Sequence, residues 1–330
     1  MNATKLVDRY NRHLTYLRIS ITDRCNLRCL YCQPDGIVPK LPHAEILSYE
    51  EIMRIVRVGV RLGIRKIRVT GGEPLVRKGA CGFLAALTAM EELQDVSLTT
   101  NGVLLRSHLS ALKEAGIRRI NISLDTLKRE KFAYISGYDF FDRVWQGIEA
   151  AYDMGFHPIK LNVVVLKGIN DDELLDLARL SFRYPFHVRF IEYMPIGKTH
   201  MSSDEHLLAP QIKKRLQVLG PLMPLEKESM DGPAERYRFK GAAGEVGLIR
   251  PISHHFCAQC NRLRLTANGR LRPCLLADDS QDLKTPLRRG AGDRELAEVF
   301  FNAVRRKTQA PFFGTAAGAL GRDPMSGIGG

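Results

Sequence analysis

The chain has 330 residues, 45% hydrophobic and 26% charged, values of an ordinary globular protein long enough for one large α/β barrel with a smaller module, or for two domains of usual size. No apolar run is long enough to span a bilayer, and the first 18 residues hold no apolar signal core; a cytoplasmic location without membrane contact is the expectation. The formal charge of +13, from 49 Lys and Arg against 36 Asp and Glu, suits a polyanionic ligand or simply a basic solvated surface. Basic residues form no long block and are not interleaved with aromatics as in single-strand nucleic-acid binders.

In chain order, residues 15–21 read as a first strand that delivers Cys25-Asn26-Leu27-Arg28-Cys29-Leu30-Tyr31-Cys32, a C-x3-C-x2-C loop. Three thiolates this close can hold three corners of an iron–sulfur cube. Such cubes usually take four thiolates, so one iron would stay open to another ligand. The plainer readings are buried structural cysteines or an incomplete zinc site, but zinc knuckles favour paired C-x2-C units.

Ser48 with Glu51 forms a capping box that starts a helix; Ile52, Ile55, Val56, Gly59 and Val60 are its buried stripe, and Gly63 ends it. A strand at 67–70 runs into Gly71-Gly72-Glu73-Pro74, and a helix is expected at 83–93. Further strands read at 96–99, 120–124, 159–166 and 188–193, with helices at 104–115 and 141–154, and Asn170 with Glu173 caps one more. Six β/α units with right-handed crossovers predict a parallel sheet curled into part of a barrel. A doubly wound open sheet competes, although no G-x-G-x-x-G follows any strand. The glycine and polar signals cluster at strand ends, where barrel enzymes place their chemistry.

Composition shifts after about residue 196. A helix is expected at 210–219, turns and short strands over 220–250, then Cys257-x2-Cys260-x13-Cys274 and a helix at 293–307. The tail ends in Gly329-Gly330. We place the domain boundary near 225, giving a partial barrel over 1–225 and a C-terminal module over 226–330.

Six of the seven cysteines fall in the two tight groups, a usage that favours metal ligation over disulfides in a chain without an export signal. Cys81 stands alone as a small core residue. The second group again has three thiols; His254 and His255 precede it, and spacing alone does not divide an iron–sulfur cluster from a zinc site completed by histidine. Arg262 and Arg264 alternate with Leu263 and Leu265, which in a strand puts both guanidiniums on one face, suited to an anion or nucleobase. Arg18, Lys66, Arg68, Lys160 and Arg189 lie in or beside expected strands, where an unpaired charge is costly. Five cations converging on a cavity would neutralise a triphosphate. In Gly71-Gly72-Glu73-Pro74 the glycines permit close backbone approach to a small ligand and Glu73 can receive an ammonium, whereas an ordinary turn needs neither. Tyr31 is a residue type suited to packing on an adenine.

The segments LRISITDRCNLRCLYCQP, KIRVTGGEPLVR, LTTNG, INISLDTL, IKLNVVVLKGIND, VRFIEYMPIG and HHFCAQCNRLRLTANGRLRPCLL occur in order with a terminal Gly-Gly. Together they resemble the GTP 3′,8-cyclase family of molybdenum cofactor biosynthesis, within the radical S-adenosylmethionine (SAM) superfamily, over nearly the whole chain. The first cysteine motif specifies the superfamily; the second group with Asn-Arg-Leu-Arg and the Gly-Gly tail specifies the family. The resemblance implies an incomplete (β/α)6 TIM-type barrel with a C-terminal module, a lyase that cyclises GTP to (8S)-3′,8-cyclo-7,8-dihydroguanosine 5′-triphosphate. It implies that a 5′-deoxyadenosyl radical removes the ribose 3′-hydrogen and that C3′ then bonds to C8. Cys25, Cys29 and Cys32 would ligate the SAM cluster; Cys257, Cys260 and Cys274 would ligate a second [4Fe–4S] cluster that touches guanine. Tyr31, Gly72, Ser123 and Met194 match SAM contacts. Arg18, Arg68, Thr99, Lys160, Arg262 and Arg264 match GTP contacts, with Lys66 and Arg189 as additions, and the Gly329-Gly330 tail would reach the site. Implied partners are GTP, an electron donor of the flavodoxin or ferredoxin type, cyclic pyranopterin monophosphate synthase for hand-off, and a second copy in a homodimer; nucleic acid and membrane are not among them. Residues 195–208 depart from the family pattern. A peptide-modifying radical SAM enzyme shares the first motif but needs further C-terminal cysteines, and a zinc-containing nucleic-acid-binding protein is the non-enzyme alternative.

Overall fold

Alternation of polar and aliphatic residues along each expected strand is matched by a parallel sheet whose first six strands pair in chain order. These are β1 (Tyr16–Ser20), β2 (Lys66–Thr70), β3 (Asp95–Thr100), β4 (Ile120–Ser123), β5 (Ile159–Val165) and β6 (His187–Glu192). The structure, a computed structural model, describes residues 5–32, 40–196, 206–226, 231–309 and 325–328. Helices α1 (Tyr49–Arg61), α2 (Ala80–Thr88), α3 (Leu105–Glu114), α4 (Arg129–Ser136), α5 (Phe141–Asp153) and α6 (Leu174–Arg183) fill the crossovers. In β1, Leu17 and Ile19 are fully buried on one face, while Tyr16 and Arg18 line the cavity on the other. Period-2 side-chain direction therefore sorts this strand into a packing face and a ligand-facing face.

The later residues do not build a separate sheet. After α7 (Ala209–Leu216) come β7 (Leu222–Pro224), β8 (Glu235–Phe239) and β9 (Glu245–Ile249), then β10 (Arg262–Leu265), β11 (Arg270–Arg272) and β12 (Gln281–Asp282). β9 pairs in parallel with β6, and β10 pairs in parallel with β1. The C-terminal strands thus extend both edges of the barrel sheet, giving the order β12-β11-β10-β1-β2-β3-β4-β5-β6-β9-β8-β7. Residues from β1 through β6 and from β9 and β10 line one cavity; a sheet that presents so many strands to one hollow is curled into an incomplete barrel, not a flat doubly wound sheet.

Helices α8 (Lys284–Arg288), α9 (Asp293–Arg305) and α10 (Met325–Ile328) complete the described chain. α1 begins with the expected box: the Ser48 hydroxyl accepts from Glu51 N and the Glu51 carboxylate accepts from Ser48 N. Its Gly59 leaves room for the Phe300 ring of α9, which a Cβ there would touch at 3.4 Å. Among the described residues no helix is long and apolar enough to cross a membrane.

Two local expectations are corrected. The helix expected at 83–93 spans Ala80–Thr88, because Gly79 enters it with φ +82° and the Thr88 hydroxyl bonds the Ala85 and Ala115 carbonyls, tying its end to α3. Asn170 and Glu173 do not cap α6. The Asn170 amide instead donates to Asp125 O and Val164 O, and the buried Glu173 carboxylate accepts from the Thr126 hydroxyl at 2.7 Å and Leu127 N at 2.8 Å. Both side chains brace the loop after β4. α4, which had no sequence signal of its own, follows that loop.

Candidate active site

The strand ends open on a cavity of about 320 Å³, within the size range of small-molecule sites. Its wall includes all six cysteines of the two triplets, together with Tyr31, Gly72, Ser123, Met194, Arg18, Arg68, Thr99, Arg189, Arg262 and Arg264. Lys66 and Lys160 are buried but do not line it. The expected convergence of five strand cations therefore holds for Arg18, Arg68 and Arg189. Lys66 is instead paired with Asp95 at 3.1 Å.

The cysteine loop is held by its neighbours. Arg28 N bonds Ser136 O and Leu30 N bonds Ile135 O, anchoring the loop to the end of α4. On its other side Gly72 N bonds Thr22 O and Glu73 N bonds Arg24 O. A Cβ on Gly72 would lie 2.4 Å from Arg24 O, and one on Gly71 would lie 2.7 Å from Thr22 O. The glycine pair is thus required by the cysteine loop's own backbone, independently of any ligand. Glu73 differs from expectation too: it is fully buried, and its carboxylate accepts from Leu75 N, the Thr100 hydroxyl and Asn101 N at 2.6–3.0 Å. Burial raises its pKa to about 7 despite those three donors. It ties the Gly-Gly turn to the end of β3, and Asn101, placed by that contact, donates to Asn26 and to the Cys25 sulfur.

Tyr31 donates its hydroxyl proton to Asp125 at 2.7 Å, and Asp125 also accepts from Val164 N. Burial raises the Asp125 carboxyl to about 6. The thiols of Cys29 and Cys32 are pushed up, first by burial and then by the neighbouring sulfurs. All seven cysteines are free. Such soft donors on a cavity wall, each disfavoured as a bare thiolate, fit a cluster whose irons take up the sulfur charge.

The second triplet sits in a different field. Burial pushes the Cys257 thiol up to about 11, whereas at Cys260 the opposing pull of Arg262 and Lys307 overcomes burial and brings the thiol down to about 7. Lys307 also donates to Arg262 O and Pro273 O. Arg12, held by Asp8, donates to Cys257 O and Thr308 O. His254 is exposed, and the Nδ1 of His255 is held against Pro251 O. Among the described residues no three His, Cys, Asp or Glu groups close around a single metal ion.

Five arginines line the same cavity as the triplets. Parallel register sets Arg18 beside Arg264 on one side and Arg68 on the other, and Tyr16 beside Arg262 and Lys66. Burial and like-charge repulsion pull Arg18 well below its usual range, Arg264 to about 10 and Arg189 to about 9, and bring Lys160, off the wall, to about 6. The Thr99 hydroxyl, buried on the wall, has no hydrogen-bond partner among the described residues. A site that concentrates positive charge at such cost is preorganised for a polyanion. Sequence reasoning passed over Tyr16, which the period-2 rule places on the face of Arg18. It also passed over Asp125, Arg12 and Lys307; the last two reach the second triplet only through tertiary contacts.

Comparison with known proteins decides the family. The chain is 51% identical over 300 residues to the GTP 3′,8-cyclase of Moorella thermoacetica, covering 91% of this chain and 93% of the relative. It is 48% identical to the GTP 3′,8-cyclase of Pelotomaculum thermopropionicum, covering 98% of this chain and 99% of that one. The chain belongs to the GTP 3′,8-cyclase family. A Radical SAM superfamily model matches residues 19–181 and a Molybdenum Cofactor Synthesis C model matches 186–313. Membership in the radical SAM superfamily implies a [4Fe–4S] cluster and SAM. Among solved structures, Streptococcus suis SuiB bound to S-adenosylmethionine aligns with a TM-score of 0.64 at 14% identity, covering 90% of this chain and 69% of that one. anSMEcpe with bound AdoMet aligns at 0.54 and 17%, covering 87% of this chain and 84% of that one. At these identities the likeness is one of fold.

Proposed function

We propose that the chain cyclises GTP to (8S)-3′,8-cyclo-7,8-dihydroguanosine 5′-triphosphate, the first step of molybdenum cofactor biosynthesis. The observation that carries this reading is the single cavity lined by both cysteine triplets and by five arginines. When bound, the first cluster and SAM supply the 5′-deoxyadenosyl radical that takes the ribose 3′-hydrogen. The residues of the chain do the rest: they bind, orient and exclude water.

In this reading Cys25, Cys29 and Cys32 hold the SAM cluster, and Tyr31, Gly72, Ser123 and Met194 form the SAM subsite. Cys257, Cys260 and Cys274 hold a second [4Fe–4S] cluster; Arg262 and Lys307, which bring the Cys260 thiol down, support an anionic donor there. Arg18, Arg68, Arg189, Arg262 and Arg264 neutralise the triphosphate and fix the purine, and the unpartnered Thr99 hydroxyl offers the ribose a hydrogen bond. Lys66 and Lys160, near the starts of β2 and β5, complete the positive field. Residues 1–225 act as the barrel and 226–330 as the module that brings the second triplet to it. A flavodoxin- or ferredoxin-type donor, hand-off to cyclic pyranopterin monophosphate synthase, a homodimer and a cytoplasmic setting belong to the same reading. The Gly329-Gly330 tail and residues 197–205 lie outside the described residues. The peptide-modifying alternative has only a fold likeness in its favour.

Anaerobically reconstituted protein is expected to contain about eight irons for two cubes, and to lose about half when either triplet is changed to alanine. With GTP, SAM and dithionite it should release 5′-deoxyadenosine together with cyclised GTP. Release of 5′-deoxyadenosine with GTP unchanged would reject this substrate.

A further inference from the structure

Tyr16 stands on the cavity wall among the substrate-facing arginines, yet nothing so far gives its hydroxyl a task. The side chain is 4% exposed, and the hydroxyl oxygen is buried with no hydrogen-bond partner among the described residues. Leaving a buried hydroxyl unpaired costs free energy unless a ligand completes it. The Lys66 ammonium lies 5.1 Å from the centre of the Tyr16 ring, and the Arg68 guanidinium carbon lies 5.9 Å from it. Arg262 is its register partner across β10, and Arg18 follows two residues later on the same face of β1. Arg18, Arg68 and Arg262 line the same cavity as Tyr16, so an anion attracted by them is brought to the wall that holds the phenol.

We propose that Tyr16 is a substrate-contacting residue whose hydroxyl donates a hydrogen bond to a phosphate oxygen of the bound nucleoside triphosphate, with its ring spacing the surrounding cations. The proposal rests on the cyclase reading for the identity of the ligand. The electrostatics agree: burial raises the phenol, but Arg68, Arg18, Arg262 and Lys66 outweigh it and bring the group to about 8. A phenol so acidified is a stronger donor, and an incoming polyanion compensates the field that acidified it.

The test is anaerobic calorimetric binding of GTP, inorganic tripolyphosphate and guanosine to reconstituted wild type, Tyr16→Phe and Tyr16→Gln. Tyr16→Phe keeps the ring and its packing and loses only the donor. Its affinity for GTP and for tripolyphosphate is expected to fall about 10- to 100-fold, the range for a hydrogen bond to a charged group. Affinity for guanosine, affinity for SAM, iron content and Tm should stay at wild-type values, and in turnover KM should rise more than kcat falls. Tyr16→Gln, which restores a donor, should recover part of the tripolyphosphate affinity. Equal affinities in wild type and Tyr16→Phe overturn the proposal, as does a loss seen equally with guanosine. Wild type that binds neither GTP nor tripolyphosphate overturns the cyclase reading along with it, so the two failures are distinguishable.

Discussion

Arg18 on β1 and Arg264 on β10 are register partners in adjacent parallel strands, so two segments far apart in the chain each place a guanidinium on one cavity wall. Removing one cation should therefore separate stability from function. Arg18→Met is expected to raise the Tm of the ligand-free protein, because burial and like-charge repulsion both oppose the native cation. The same change should weaken GTP about 10- to 100-fold through loss of a charge-assisted hydrogen bond. Thermal melts paired with GTP titration check both halves; a variant less stable than wild type and binding GTP normally would count against the assignment.

Gly72 lies against the backbone of the cysteine loop, and a Cβ there would meet Arg24 O at 2.4 Å. Gly72→Ala must displace that loop, while the strands behind it are unaffected. The expected result is a folded protein short of about four of the eight irons that the proposed two clusters require, with SAM cleavage lost and iron at the second triplet kept. Iron and sulfide analysis beside circular dichroism reads this directly.

Glu73 carries a pH signature. Its carboxyl is raised by burial from an ordinary 4.5 to about 7, so the native state favours the protonated form. The penalty is absent below about 4.5, grows as pH rises towards 7 and is constant above. Wild type should thus lose stability relative to Glu73→Gln as pH rises through that window. Tm measured for both proteins from acid to neutral pH tests the sign, and parallel curves would reject it.

Glu192 joins β6 to the approach of the second triplet. Its carboxylate accepts from Ala209 N at 2.7 Å, from Ile252 N and Ser253 N at 2.9 Å each, and from the Ser253 hydroxyl. Glu192→Ala strands three backbone donors, and a cost of roughly 2–5 kcal/mol is expected. Because residues 252–253 lead into Cys257, iron loss should fall on the second cluster first. Spectroscopic titration of the two clusters, or iron counts in a background lacking the first triplet, measures that preference.

Local chemistry was legible in the sequence because it spans few residues. The capping box at Ser48 and Glu51, the period-2 pattern of β1 and β10 and the ligand spacing of both cysteine groups each depend on backbone geometry over one or two turns. Glu73, Asn170 and Glu173 misled for the same reason: each looks like a local turn or cap residue, but its partners come from another crossover. Which cations reach the cavity was also hidden, since Arg189 lines it and Lys66 does not, although both sit in strands. That distinction follows from register and curvature, which pairings between strands far apart in the chain decide. Residue types and spacing pointed to a cluster at the first cysteine group, and the resemblance of whole segments to a family implied the rest; only the closing of β10 onto β1 and β9 onto β6 brought two distant cysteine groups and five arginines to one hollow, because long-range pairing, not local propensity, sets which side chains share a wall.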